Sequence, residues 1–130
     1  FASFINTQYP LVNGNPIIMF PDITDTTGNI TSPSVDRVTL APGYYLVSYS
    51  VSGIFRTASY MQVTPSYNGT AHLETGVYFA TSTNGSSACG SAHFIIYAPS
   101  QTDFSLTFTG SSSATDGALT LTFLKLRRGQ

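Results

Sequence analysis

The chain has 130 residues, 42% apolar and 13% aromatic, enough for one core and one domain without staples. Only 8% of residues are charged and the formal net charge is −1, against roughly 25% charged in an average soluble domain. Serine and threonine fill the gap, giving a hydroxyl-rich surface that suits an extracellular or coat protein, or one that hides surface in an oligomer. The five basic residues include Lys125, Arg127 and Arg128 near the C-terminus. They make no nucleic-acid footprint, and no apolar run reaches membrane-spanning length.

No segment of useful length has a 3.6-residue apolar period. Period-two alternation recurs, broken by Gly, Pro, Asn and Asp, which predicts about eight to ten strands in a sandwich or barrel. The chain opens on Phe1 rather than Met and carries no signal peptide, so it is expected to be a fragment of a longer one. Residues 22–34 form the longest irregular stretch, polar and rich in threonine. Arg37–Phe55 follows as a short alternating strand, an Ala41-Pro42-Gly43 turn and about ten strand-forming residues. The middle of the chain places Leu73, Val77 and Phe79 on one face and Glu74 opposite.

Further along, Phe104, Leu106 and Phe108 face opposite to Ser105, Thr107 and Thr109, as Val38 and Leu40 do to Arg37 and Thr39. These strands have one face on the core and one in water. Three others are apolar, or nearly so, on both faces. Over 44–51, Tyr45, Val47, Tyr49 and Val51 oppose Tyr44, Leu46, Ser48 and Ser50. Over 92–98, Phe94 and Ile96 oppose His93, Ile95 and Tyr97. Over 119–126, Leu119, Leu121 and Phe123 oppose Thr120, Thr122, Leu124 and Leu126. With no helix to cover the second face, another copy of the chain is the expected cover.

Asn13-Gly14, Asn68-Gly69, Asn84-Gly85 and Asp116-Gly117 predict turns. Pro16, Pro21, Pro33, Pro65 and Pro99 are expected at strand ends or in loops. A single cysteine, Cys89, excludes an intrachain disulfide. Between Ala88 and Gly90, with no basic neighbour, it reads as a packed thiol.

The segment Val38-Thr39-Leu40-Ala41-Pro42-Gly43-Tyr44-Tyr45-Leu46-Val47 resembles the Gly-x-Tyr-x-(Val/Phe) signature of C1q/TNF-like jelly rolls. Phe1-Ala2-Ser3-Phe4, Pro16-Ile17-Ile18-Met19-Phe20 and Gly117–Leu126 resemble one bacterial branch more closely. That branch is the C-terminal domain of the collagen-like exosporium glycoproteins of Bacillus and Clostridium spores. The elements fall in family order over nearly the whole chain, except Arg56–Gly90, which matches no motif. The tail Leu126-Arg127-Arg128 also departs from many members. The resemblance implies an all-β, C1q/TNF-like jelly-roll sandwich of two antiparallel sheets. It implies a homotrimeric, non-enzymatic knob on a collagen-like stalk in the same chain, displayed at the extracellular surface, on a spore exosporium. It implies no cofactor, nucleic acid or membrane insertion.

The expected trimer contacts are Tyr44, Leu46, Ser48, His93, Ile95, Tyr97, Leu124 and Leu126. His93 reads as an interface or core histidine, with a three-fold metal as the sharper alternative. His72, beside the Asn68-Gly69 turn, is expected in solvent. No Gly-x-Ser-x-Gly elbow or His-Glu-x-x-His motif occurs, and Asp22, Asp25, Asp36, Glu74, Asp103 and Asp116 are scattered. Asp22 and Asp25 with Gly28-Asn29 could supply oxygen to calcium, but lack EF-hand spacing and read better as a capped polar loop. Asn29, Asn68 and Asn84 begin glycosylation sequons, which mark surface loops only in a secreted eukaryotic protein. Tyr60, Tyr67 and Tyr78 offer a possible glycan or host-ligand surface, set against ordinary sheet residues. A carbohydrate-binding or adhesion module and an extracellular C1q/TNF-type ligand are the alternatives on the same fold. A viral fibre or capsid jelly roll fits the composition, but fits the Gly43-Tyr44 turn less well.

Overall fold

A computed structural model describes residues 1–127. Eleven strands and one short 3₁₀ helix make up the described chain. They are β1 (Ala2–Leu11), β2 (Phe20–Ile23), β3 (Ile30–Ser34), β4 (Arg37–Leu40), β5 (Gly43–Phe55), β6 (Tyr60–Tyr67) and β7 (Thr70–Ala71). The 3₁₀ turn Leu73–Thr75 follows, then β8 (Val77–Ala80), β9 (Ser86–Ala98), β10 (Thr102–Gly110) and β11 (Ala114–Leu126). One sheet runs β2-β1-β11-β5-β9. The other runs β3-β4-β10-β6-β7, with β8 also paired to β6. Strand pairing within both is antiparallel. The chain passes back and forth between the sheets, which makes a jelly-roll sandwich.

Alternation does the folding. Tyr45, Val47, Tyr49 and Val51 of β5 are buried, as are Leu119, Leu121 and Phe123 of β11 and Phe104, Leu106 and Phe108 of β10. Phe104 meets the edge of Phe123 at 5.0 Å between ring centroids, joining the sheets at mid-core. Two buried tyrosines keep their hydroxyls satisfied. Tyr45 donates to the Ala41 carbonyl at 2.7 Å and Tyr49 to the Thr75 carbonyl at 2.8 Å. Burial pushes both phenols above their ordinary value.

The turn expected at Ala41-Pro42-Gly43 is present. Gly43 has φ of +142°, and an added Cβ would lie 2.9 Å from the Lys125 side chain. Asn68 and Gly69, both at positive φ, close the hairpin between β6 and β7.

Four sequence expectations are corrected. Asp116-Gly117 is not a turn between strands. It is a bulge inside β11, with Asp116 at φ of +51° and a register shift between Thr115 and Ala118. Gly117 approaches β1 so closely that a Cβ would lie 2.5 Å from the Tyr9 carbonyl oxygen. Leu73 leaves the core face for the exposed 3₁₀ turn, while Val77 and Phe79 pack on the core as expected. Pro65 lies within β6 rather than at its end. Its carbonyl accepts the His72 amide, so its N also points to that side, where neither β7 nor β8 pairs with it. Residues 22–34 are more regular than expected, since β2 and β3 flank a loop built on Asp25.

Candidate functional site

The outward face of the β2-β1-β11-β5-β9 sheet carries every expected trimer residue. Strand register arranges it as rows. Tyr97, Tyr44 and Leu126 form the first row; Ile95, Leu46 and Leu124 form the second. His93, Ser48, Thr122, Ser3 and Ile23 form the third, and Ser91, Ser50, Thr120, Ile5 and Phe20 the fourth. The first two rows are an apolar corner in which Ile95 is 64% and Tyr97 52% exposed. Tyr44 and Tyr97 stack across it at 4.6 Å.

Sequence reasoning missed a second apolar corner, diagonally opposite, where Ile5, Phe20 and Ile23 are exposed. Tyr9 meets the Phe20 ring edge at 5.7 Å beside it. The signal was the alternation of Phe4, Ile5 and Asn6, whose middle member faces away from the buried pair. A hydroxyl strip of serines and threonines separates the corners. None of the outward positions on β5, β9 or the 118–126 part of β11 holds Asp, Glu, Lys or Arg. β9 also forms an edge of this sheet with 13 residues in unbroken register and neither Pro nor charge. Isolated edges are normally protected by just those features.

His93 is exposed, and its Nδ1 lies 2.7 Å from Ser48 Oγ. A Ser–His pair invites a catalytic reading, but this one lies on a flat strand face with no carboxylate hydrogen-bonded to the ring. Cys89 also faces outward and is exposed, so it is not the packed thiol expected. It aligns with Ser52 on the same face.

The three candidate ligand tyrosines divide. Tyr60 and Tyr78 lie exposed on the outward face of the other sheet, rings nearly parallel with centroids 6.0 Å apart. Gln62 is directly opposite Tyr78 in the strand register. Tyr67 does not join them. It is only 7% exposed and packs among Phe94, Phe104 and His72. Tyr60 and Tyr67 are an odd number of residues apart on one strand, so they must face opposite ways. Nor is His72 in open solvent. It stacks on Tyr67 at 3.7 Å, Nε2 donates to the Tyr67 carbonyl, and Nδ1 lies 2.8 Å from Glu74 Oε1.

Asp25 serves its own loop. Its carboxylate accepts from Thr27 Oγ1 and from the amides of Asn29 and Ile30 at 2.7, 3.0 and 3.1 Å. Burial alone would raise its pKa. The hydrogen bonds outweigh burial and hold the carboxyl well below the usual range. Asp22 instead accepts from Ser3 Oγ. Among the described residues no three His, Cys, Asp or Glu side chains converge on a metal-sized site. A shallow polar cleft of about 550 Å³ lies over β4 and β10, lined in part by Arg37, Asp103 and Ser105.

The topology defines a class: a C1q/TNF-like jelly roll. Solved structures agree. The globular domain of zebrafish complement 1qA matches with a TM-score of 0.63 over 99% of this chain and 100% of its own, at 10% identity. Murine APRIL matches with a TM-score of 0.63 over 96% and 98%, at 11% identity. The PRD1 vertex protein P5 matches with a TM-score of 0.60 over 97% and 96%, at 15% identity. At such identities the likeness is one of fold. No family model and no curated protein matches the sequence.

Proposed function

We propose that this chain is a non-enzymatic trimerisation head that presents its other sheet and its loops to the outside. The observation that carries the reading is the two-cornered face of the β2-β1-β11-β5-β9 sheet, uncharged on β5, β9 and the 118–126 part of β11. Its corners differ in composition and lie diagonally apart. A self-complementary dimer would pair one patch with itself. Contact between unlike corners of neighbours is head-to-tail, and such contacts form rings where the rotation closes. The C1q/TNF-like fold favours a ring of three.

The finer reading follows the sequence resemblance. The head caps a collagen-like stalk in the same chain and stands on the exosporium of a bacterial spore. Light scattering at micromolar concentration tests the trimer, and a monomer there would refute it. Immunogold labelling of intact spores, together with Gly-X-Y triplets upstream in the gene, tests the rest. Labelling confined to vegetative cytoplasm would refute that placement.

The paired rings of Tyr60 and Tyr78 support a second reading, a glycan-binding or adhesive outer surface. Aromatic faces stack on sugars, and Gln62 supplies amide hydrogen bonds beside them. A glycan array should then give signals that Tyr78→Ala abolishes. A blank array, or signals indifferent to Tyr78, would remove this reading.

A further inference from the structure

We propose that the outer sheet binds a straight, neutral oligosaccharide of about four β-1,4-linked pyranose units, laid along β6 and β10. The inference rests on the glycan-binding reading of Tyr60 and Tyr78. It adds to that reading a ligand class, a length and a second point of contact.

The tyrosine pair and the polar cleft lie at opposite ends of one face. Tyr60 and Tyr78 are 42% and 65% exposed. Tyr60 lies opposite the small Ala80 in register, so no bulky side chain of β8 directly across from it covers its ring. Beyond the pair, three rungs cross between β6 and β10: Gln62 opposite Thr109, Thr64 opposite Thr107, and Ser66 opposite Ser105. All six side chains are half-buried on the outward face, and none is charged. The third rung enters the cleft of about 550 Å³, which Ser66 and Ser105 line together with Asp36, Arg37, Gln101 and Asp103. That volume falls within the range of about 300–1,000 Å³ usual for small-ligand sites. Tyr60 and Ser66 bound the outward positions of a single strand. The distance between them is roughly 20 Å, about the length of four linked pyranose rings.

A pyranose needs an apolar plane under its C–H face and donors and acceptors around its rim. The tyrosines supply the plane. On the rungs, the side chains of Gln62, Thr64, Ser105 and Thr107 make no hydrogen bond within the described chain, which leaves their donors and acceptors to a ligand. In the cleft Arg37 likewise has no ion pair or hydrogen bond among the described residues. Asp103 accepts from Thr39 Oγ1 at 2.7 Å through one oxygen, and Asp36 from Ser34 Oγ through one, so each keeps a second oxygen. These charges select the ligand. A polyanion would meet two carboxylates, and a polycation would meet the guanidinium. Sugar hydroxyls accept from Arg37 and donate to Asp36 and Asp103, so a neutral chain satisfies all three. The rungs follow the strands without a register shift. Such a straight path suits the ribbon of a β-1,4 linkage and not the coil of an α-1,4 linkage.

The test is calorimetric titration of the wild-type chain, Tyr78→Ala and Arg37→Ala with cellotetraose and N-acetylchitotetraose, and with the matching disaccharides. Both altered side chains are exposed, so melting should not change. If Arg37→Ala does melt lower, Asp103→Asn, which can still accept from Thr39, takes its place. At least one tetrasaccharide should bind the wild type at least about tenfold more tightly than its disaccharide. Tyr78→Ala should abolish binding of both. Arg37→Ala should weaken the tetrasaccharide about fivefold or more and leave the disaccharide unchanged, because the short ligand stays on the tyrosines. Maltotetraose, which is α-1,4 linked, and the acidic tetragalacturonate should each bind at least about tenfold more weakly. Equal affinity for both lengths, or tetrasaccharide binding indifferent to Arg37, would overturn the proposal; Tyr78-dependent binding would then leave the tyrosine site standing. Preference for maltotetraose or tetragalacturonate would overturn it as well. So would a failure of every probe to bind, and a blank glycan array would remove the tyrosine site with it.

Discussion

Leu46→Asp separates the fold from its assembly. Leu46 lies on β5 between Ile95 and Leu124, half-buried in the single chain and facing away from the core. An aspartate there stays hydrated in the separated protomer, where its cost is the loss of strand propensity, under about 1 kcal/mol. In the proposed assembly the same carboxylate is covered, and the outward face of β5, β9 and the 118–126 part of β11 holds no Lys or Arg to pair with it. Stripping water from an unpaired ion costs several kcal/mol. Taking about 3 kcal/mol per protomer, three copies weaken the trimer by about 9 kcal/mol, or more than 10⁶-fold in its association constant. The midpoint concentration of a trimer scales as the square root of that constant, so it rises about a thousandfold. An assembly with a nanomolar midpoint would then dissociate at micromolar concentration. Light scattering should report the monomer mass, and circular dichroism an unchanged strand spectrum. Thr107→Asp, on the outward face of β10, is the matched control and should remain trimeric. A Leu46→Asp chain still trimeric with wild-type melting would show that this face is not the interface.

Further outcomes follow from the core and the Asp25 loop. Phe104→Ala removes a fully buried ring that contacts Phe123 and Tyr67. It should cost about 3–5 kcal/mol and lower the melting temperature by on the order of 10 °C; a drop below about 2 °C would contradict its central place in the core. Asp25→Asn should destabilise at neutral pH. The folded carboxyl lies below its ordinary value of 3.8, so its contribution is complete well above that value and is lost as pH falls through it and below. The stability gap between wild type and Asp25→Asn should therefore shrink in acid. Denaturant melts giving an equal gap at about pH 7 and pH 3 would refute the loop's dependence on an ionised Asp25.

Much of the fold could be read from alternation alone, because a strand with one wet face writes its burial into sequence parity. β10 shows this plainly, and β5, β9 and β11 show the less common pattern in which the outward face is also uncharged. What escaped was fixed by non-local geometry. β2 has only four residues, too few for a period, and its outward Phe20 and Ile23 matter only because β1 aligns Ile5 and Ser3 beside them. The Asp116-Gly117 pair has turn chemistry, yet the same positive-φ preference serves a bulge when Tyr9 lies 2.5 Å from where a side chain would be. His72 left solvent because it found a buried tyrosine five residues away, a contact that spacing does not encode. The Asp25 loop was the opposite case, since a short acid followed by Thr27, Gly28 and Asn29 is local chemistry that composition predicts.

The scarcity of charge and the shape of the proposed assembly face have one cause. A strand exposed to water on its outer side normally carries lysine or glutamate there, which also guards sheet edges against stray pairing. Many of the charges of the described chain lie away from that sheet: Arg37 and Asp103 over the other sheet, Arg56 and Glu74 in or beside turns, Asp25 inside its loop. The outward face of β5 and β9 receives none. Its hydroxyl strip can be covered by a neighbour at low cost, because serine and threonine can satisfy one another across an interface. Its two corners supply the apolar area. A face built for water would have spread its charge evenly. This one withholds charge from the row where Leu46 lies, which is why a carboxylate placed there should be felt by the proposed assembly rather than by the fold.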